Sequence, residues 1–579
     1  MMRRRVGPLL APLRGAAREV VAARGGATCA SSCLGKRPLC TSSGRIFDTT
    51  SALGPVPDKS FTDFILDSTD AHGDRPALVD GASGRTLTFA ELRPTVSALA
   101  SALYHEHGLR KRDVSAVLLP NCPDYFVIFH GIASLGAVLS TLNPLYTAGE
   151  IAEQLTDSNS KMVFTVSALL PVAMEAAQQT GATIERIVVL DATEADTSGA
   201  VPVTPYSALI EQGRAAPPAP PTSIAPSDLV VLPYSSGTSG KPKGVELTHS
   251  NVVTNLVQLE ASLDLSPDDK VLGLLPFFHI YGMIVVLNAA IERGATVVTM
   301  PRFEPAHFLQ VVKEHEMTVM HVAPPLMVFL AKAPPVADIL PLSRLREIVC
   351  AAAPLGPELA AAVKARLHQS TSLIIRQGYG MTELSPASHV APKGIAADKL
   401  GSVGALLPGQ RCKIVDTETG ALCAVGEEGE IVLQGPNVMR GYLNRPEATA
   451  ECLDAEGWLR TGDVGYVDSD GLYYIVDRVK ELIKTKGFQV APAELEALLC
   501  GWEKVADAAV IGIPDERSGE VPKAFVVRQP GHESLTADEV KDYVRPQVAP
   551  YKQIEIVEFI DAVPKSLAGK ILRRMLRAQ

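Results

Sequence analysis

The stretch VVLPYSSGTSGKPKGVELTH, Val230 to His249, governs the reading of this chain. An apolar run suited to a strand breaks into serines, glycines, a threonine and two lysines, then turns apolar again. It is either a flexible surface linker or a loop built to hold phosphate. Gly237 and Gly240 permit positive φ and close approach of a ligand. Consecutive amide N–H groups around them can form an anion nest. Ser235, Ser236, Thr238 and Ser239 add hydroxyls, while Lys241 and Lys243 add charge. The glycines stand too close together for a Walker A sequence, and no Ser or Thr follows the lysine. A Ser/Gly loop alone is compatible with a plain turn, so its neighbours must decide.

The neighbours are those of a large α/β enzyme. With 579 residues, 46% of them hydrophobic, the chain can bury several cores and spans more than one domain. Forty-five glycines and forty-three prolines against two tryptophans suit a turn-rich α/β architecture better than a helical bundle. Nine cysteines show no metal-ligand spacing, which points to a reducing compartment and neither a disulfide framework nor a zinc site. Residues 1–45 hold nine Lys or Arg against one acid, Glu19, a net of +8. The whole chain stands at −10, so the remainder carries −18, which argues against a nucleic-acid partner.

An Arg-rich, Ser- and Ala-bearing, acid-poor start has the composition of an organellar transit peptide, mitochondrial or else plastid, with a disordered basic tail of a cytoplasmic protein as the plain alternative. The carboxyl end, Arg-Ala-Gln, is not the peroxisomal Ser-Lys-Leu type. The uncharged stretch Tyr125–Tyr146 is long enough to span a membrane, yet its His130, Ser134, Asn143 and Pro144 favour a buried core helix and a turn.

From Ile46 onward, apolar strand candidates (KMVFTV, RIVVL, DLVVLPY, KVLGLLPF, ATVVTM, MTVMHV, LREIVCAA, SLIIRQGYG) alternate with helical stretches, the rhythm of parallel sheets flanked by helices. Thr88–Glu91, Thr147–Glu150 and Thr536–Glu539 fit the capping box. The texture changes near Asp463 to short antiparallel strands with turns at Asp470-Gly471 and Lys486-Gly487. A helix opened by Pro492 comes next, in a separate α+β unit of about one hundred residues. The expected organisation has three parts: the segment 1–45, a large domain over 46–477, and a small one over 478–579 hinged at Asp477–Lys480.

Six stretches in order decide the matter: YSSGTSGKPKG, LPFFHIYGM, QGYGMTE, GWLRTGD, DRVKELIKTKGFQVAPAELE and PKSLAGKILRR. Together they resemble the signature motifs of the adenylate-forming (AMP-binding) superfamily, and most nearly those of 4-coumarate–CoA ligases and related acyl-CoA ligases. The resemblance runs from Ile46 to the carboxyl end. It implies an α/β fold with two helix-flanked sheets, a distorted β-barrel and a small mobile α+β lid. It also implies a two-step ligation of a carboxylic acid, in phenylpropanoid or fatty-acid metabolism. The acid is joined to AMP with loss of pyrophosphate, then passed to the thiol of CoA. ATP, CoA and Mg²⁺ are the implied co-substrates and ion, with no obligate protein partner.

Roles carried over by resemblance follow the motifs. Ser235–Lys243 would hold the β- and γ-phosphates. Glu383, with Thr238, matches the magnesium site, a hard oxygen for a hard cation. Ala352, Gln377, Gly378, Tyr379 and Thr382 would line the nucleotide, Asp463 would accept the ribose hydroxyls, and Arg478 and Lys480 would accompany it. Lys570 would bridge carboxylate and α-phosphate in the first step. After the lid swings about Lys480, Lys484 would meet the adenylate, while Lys486, Gly487 and Arg302 would meet CoA. His279, Tyr281, Ala351, Pro386 and Ala387 would line the acyl pocket. There Ala351 adds a methyl where plant hydroxycinnamate ligases carry glycine, and Ala387 removes bulk where they often carry valine. Rival readings are a luciferase-type or adenylation-only member of the superfamily, or a non-catalytic adenylate-binding scaffold.

Overall fold

The computed structural model describes residues 46–577 apart from 50, 181–183, 198, 200, 236–241, 340, 341, 343, 368–372, 486, 487, 516, 567 and 568. The segment 1–45, expected to be a transit peptide, therefore lies outside the described residues, as do Ser236, Gly237, Thr238, Ser239, Gly240, Lys241, Lys486 and Gly487.

Two nine-stranded sheets form the body. In the first, strands Leu229–Leu232, Val138–Thr141, Val114–Val117, Ser160–Thr165, Arg186–Val189 and Val203–Pro205 run parallel in that order. An antiparallel edge adjoins them, made by Lys243–Thr248 with Tyr234–Ser235 and Gly441–Tyr442. In the second, Ile374–Gly380, Glu347–Cys350, Val319–Val322, Lys270–Gly273, Thr296–Thr299 and Pro76–Asp80 run parallel. Ala387–Val390 and Ala405–Leu406 extend it antiparallel. The strand candidates read from the sequence all fall in these sheets, because apolar runs of four to six residues buried on both faces are what parallel strands require.

All three capping boxes form, the Thr88 amide donating to Glu91 at 2.8 Å and those of Thr147 and Thr536 to Glu150 and Glu539 at 2.9 Å. The stretch Tyr125–Tyr146 departs from expectation in one respect. Helix Asp124–Ala133 is the buried core helix, but a fully buried strand, Val138–Thr141, succeeds it where only a turn was expected. A four-residue apolar run carries too little periodicity to separate strand from turn. No helix among the described residues is long and apolar enough to cross a membrane.

The third sheet of the large domain, the component expected as a distorted β-barrel, is five-stranded and antiparallel, in the order Ile46–Asp48, Arg411–Val415, Gly429–Gln434, Leu459–Val467, Tyr473–Arg478. The hairpin about Asp470-Gly471 thus stays with the large body, although its texture resembles that of the small domain. Beyond Arg478 the small domain has its own sheet of Phe488–Val490, Ile483–Thr485, Gly519–Arg528, Val505–Asp515 and Ile556–Phe559, with its own apolar core.

The second sheet is locked by charge. Buried Arg376 donates from Nε to Glu347 Oε1 at 2.5 Å across two parallel strands, and also bonds the carbonyls of Ala391 (3.1 Å) and Ser262 (2.5 Å). Arg346 joins Glu347 (3.1 Å) to Asp269, which it grips at 2.8 Å through two nitrogens. Burial works against the Asp269 charge, yet Arg346, the Thr318 hydroxyl and the Ser266 amide hold its carboxyl down at about 2. Glu347→Gln leaves Arg376 buried beside a neutral group. A loss of about 3–5 kcal/mol is expected, read as a lowered urea midpoint of the large domain; an unchanged midpoint would remove the network from the stability account.

Candidate active site

Loop and strand ends from all three sheets of the body converge where the first two meet. Ser235 lies directly opposite Lys243 in the hairpin that brackets the Ser/Gly segment, so these two residues fix both of its ends. The Ser235 hydroxyl donates to Glu383 Oε1 at 2.9 Å, and the Tyr442 phenol donates to the same oxygen at 2.8 Å. The Lys243 ammonium stands 4.8 Å from the Tyr442 ring centroid. Burial and the Glu383 charge push the Tyr442 phenol far above its ordinary range, which keeps it a donor. Tyr442 was not read from the sequence. Its two-residue strand pairs with Lys243–Thr248 nearly two hundred positions away, and no local pattern announces that pairing.

Strand Ile374–Gly380 delivers Gln377, Gly378 and Tyr379. A Cβ on Gly380 would stand 2.0 Å from the Pro386 carbonyl oxygen, so only glycine lets the two segments close on each other. Thr382 and Glu383 follow in a single buried turn, and Pro386 and Ala387 are buried beyond it. The Gln377 side chain is engaged by protein: it accepts from the Leu355 amide (3.0 Å) and donates to the carbonyls of Leu355 (3.1 Å) and Leu400 (2.7 Å). It thereby staples the turn Ala351–Gly356 to the strand. Within that turn Ala352 takes φ 76°, a left-handed conformation costly for a residue with a Cβ and typical of functional loops. Ser385 does the same at φ 69° on the other side.

Asp463 faces Arg478 directly in the antiparallel ladder. Its Oδ2 accepts from the Tyr379 phenol at 2.6 Å, and the Arg478 Nε lies 3.4 Å from Oδ1. Lys480 sits two residues on and is exposed. Tyr281 opens the π-helical segment Tyr281–Asn288 and His279 stands two residues before it, with the Tyr281 amide donating to His279 Nδ1 at 3.3 Å. Burial, together with the nearby Lys570 charge, lowers the His279 imidazole to about 4, so it is neutral at working pH. Tyr281 pairs with buried His321 (oxygen to Nδ1, 3.0 Å), whose Nε2 has no partner among the described residues. A small cavity is lined by His279 and Thr382 together with Thr141 and Tyr234 of the first sheet.

The small domain closes the site with Lys570. Burial and the Arg478 charge lower its ammonium to about 8, against the opposing pull of Asp463, Glu383 and Glu481. Lys570 therefore shares one electrostatic environment with the nucleotide-site candidates and with His279. Lys484 is not brought there: it is exposed on the small sheet, its amide donating to Glu520 at 2.8 Å. Arg302 is likewise exposed, at the turn after strand Thr296–Thr299.

The family model described as AMP-binding enzyme matches residues 66–443, and the AMP-binding enzyme C-terminal domain matches 494–570, so the chain belongs to that family. Among its relatives, a 4-coumarate–CoA ligase 1 of Solanum tuberosum is 41% identical over 523 residues, covering 89% of this chain and 93% of the relative. Among solved structures, ATP-bound MatB from Rhodopseudomonas palustris superposes with TM-score 0.78 at 27% identity, covering 90% of this chain and 99% of that one. The anthranilate CoA ligase AuaEII in complex with anthranoyl-AMP gives TM-score 0.81 at 25% identity, covering 91% and 98%. The chain is an acid–thiol ligase of the acyl-CoA ligase family, with acid, ATP and CoA as its substrates.

Tyr442→Phe removes one of the two hydroxyls that orient Glu383, a charge-assisted bond of about 1.5–3 kcal/mol. The KM for ATP is expected to rise about tenfold or more with the KM for the acid little changed; steady-state kinetics in which ATP dependence does not move would deny Tyr442 this role.

Proposed function

We propose that the enzyme works through an acyl-adenylate, on an aromatic propenoic acid such as 4-coumarate or on a medium-chain fatty acid. The observation that carries this reading is Lys570: a half-buried, desolvated ammonium held among Asp463, Glu383 and Arg478 by a domain other than theirs. In the first step a carboxylate oxygen attacks the α-phosphorus of ATP, the bond to the β-phosphate bridging oxygen breaks, and pyrophosphate leaves. Negative charge on the oxygens about phosphorus peaks in that transition state, where a preorganised ammonium contributes most. Ser235 and Lys243 hold the two ends of the phosphate segment, Tyr379 and Asp463 take the nucleoside, and neutral His279 flanks the acyl group without competing for charge.

Glu383 suits Mg²⁺: it is one hard carboxylate, oriented by two hydroxyls, at a site where substrate phosphates would complete the coordination. Glu383 would hold the ion with Thr238, and the bound ion supplies charge neutralisation on the phosphates.

In the second step the CoA thiol attacks the acyl carbon and AMP leaves. This reading has the small domain turn about Lys480, withdrawing Lys570 and bringing Lys484, Lys486 and Gly487 to the adenylate and CoA, with Arg302 at the CoA nucleotide. The exposed position of Lys484 in the present pose accords with that exchange. The names of the relatives support an aromatic acid, while the exchanges at Ala351 and Ala387 support a reshaped pocket. A methylene discriminates by only about 1–3 kcal/mol, so such exchanges redirect preference within one reaction class. The basic segment 1–45 supports delivery to mitochondria.

An acid panel incubated with ATP, with and without CoA, tests the chemistry. Pyrophosphate release and CoA-dependent thioester are both expected, and pyrophosphate with no thioester would replace the reading by adenylation alone. Lys570→Ala should abolish ATP–pyrophosphate exchange while sparing thioester formation from a supplied adenylate. Because the folded Lys570 pKa is lowered, the ammonium is lost as pH rises through about 8. The exchange kcat/KM should therefore fall on an alkaline limb near that value, which Lys570→Arg should move upward in any residual activity. For the address, a fusion of residues 1–45 to a fluorescent protein should mark mitochondria; diffuse signal would end that part.

A further inference from the structure

Helix Pro324–Lys332 belongs to the large domain, and both of its ends touch the small one. At its start Gly569, at φ 82°, lies so close that a Cβ there would stand 2.8 Å from Ala323 Cβ and 3.2 Å from Pro325 Cδ. Gly569 immediately precedes Lys570, so this contact seats the lysine. At the far end, about 13 Å along the axis at 1.5 Å per residue, the Lys332 ammonium reaches the small domain's helix Pro492–Gly501. It donates to the carbonyls of Val505 (2.7 Å), Cys500 (2.9 Å) and Trp502 (3.4 Å).

An ammonium has three donors, and all three go to carbonyls of the other domain. Two of those carbonyls close the C-terminus of a helix, where the backbone dipole favours a cation. The acid whose charge acts on it, Asp507, is already held by Lys565 at 2.7 and 2.8 Å. Desolvation lowers the Lys332 pKa, against the opposing pull of Cys500 and Asp507.

We propose that Lys332 is a positioning residue for the ligation: a latch that holds the small domain in the pose presenting Lys570 to the first step. This rests on the two-pose reading above. Every partner of the ammonium moves away when the small domain turns, so the latch weights the adenylation pose alone. Strength at this contact exchanges speed in the first half-reaction against release into the second.

The test compares Lys332→Met, which keeps the stem, with Lys332→Arg, which keeps the charge. For the Met variant, ATP–pyrophosphate exchange is expected to fall about tenfold or more, while thioester formation from supplied adenylate and CoA stays level or quickens. The Arg variant should retain most of the exchange. Equal loss in both half-reactions, or no loss in exchange, would overturn the proposal. Hydrogen exchange on the full chain without substrates gives a second reading: amides from Cys500 to Val505 and around Gly569 should lose protection in the Met variant, with the large-domain core unchanged. Unaltered protection there counts against the latch even if the wild type forms no adenylate with any acid, an outcome that would instead remove the two-step reading.

Discussion

Glu383 Oε1 is where the architecture is tied together. Two hydroxyls from different places converge on one carboxylate oxygen: Ser235 from the edge hairpin of the first sheet, and Tyr442 from a short strand laid against that same edge. Glu383 itself hangs from the end of the second sheet. A buried carboxylate that accepts two hydrogen bonds is tolerated where an unpaired one is not. The bond pattern therefore fixes the gap between the sheets as well as the acid's orientation. The Gly380 close approach and the left-handed Ser385 flank Glu383 in the chain on either side.

The second sheet carries the same logic inward. Arg376 sits one residue before Gln377, on the strand that ends in the site, and its guanidinium reaches Glu347, Ala391 and Ser262 at once. Such a network offers little net stability over an apolar core, but it permits one register only. A slip of one residue would place Arg376 on the opposite face and send Tyr379 away from Asp463. Rigidity behind the site leaves the small domain as the component that the two-pose reading sets in motion.

Two lysines cross the boundary between domains in opposite directions. Lys570 comes from the small domain into an acidic corner of the large one, and Lys332 goes from the large domain into a ring of carbonyls on the small one. Both are desolvated, and both lose their surroundings if the domains separate. A contact built from charges rather than apolar area can be remade elsewhere, since each ammonium regains water when it leaves.

The sequence by itself determined the alternation of buried strands and helices, the three capping boxes and the family, and it named the candidates for the site. Each of these is encoded within a window of a few residues: an apolar run, a Thr-x-x-Glu, a short motif. The hairpin around Asp470 shares its texture with the small domain, and only the pairing of its first strand, Leu459–Val467, with Gly429–Gln434 assigned it to the body. Tyr442, Lys332, His321 and the protein-bound state of Gln377 were decided by the tertiary structure alone. Their partners lie tens to hundreds of positions away, and a hydrogen bond between distant segments leaves no periodicity or spacing in the chain to read.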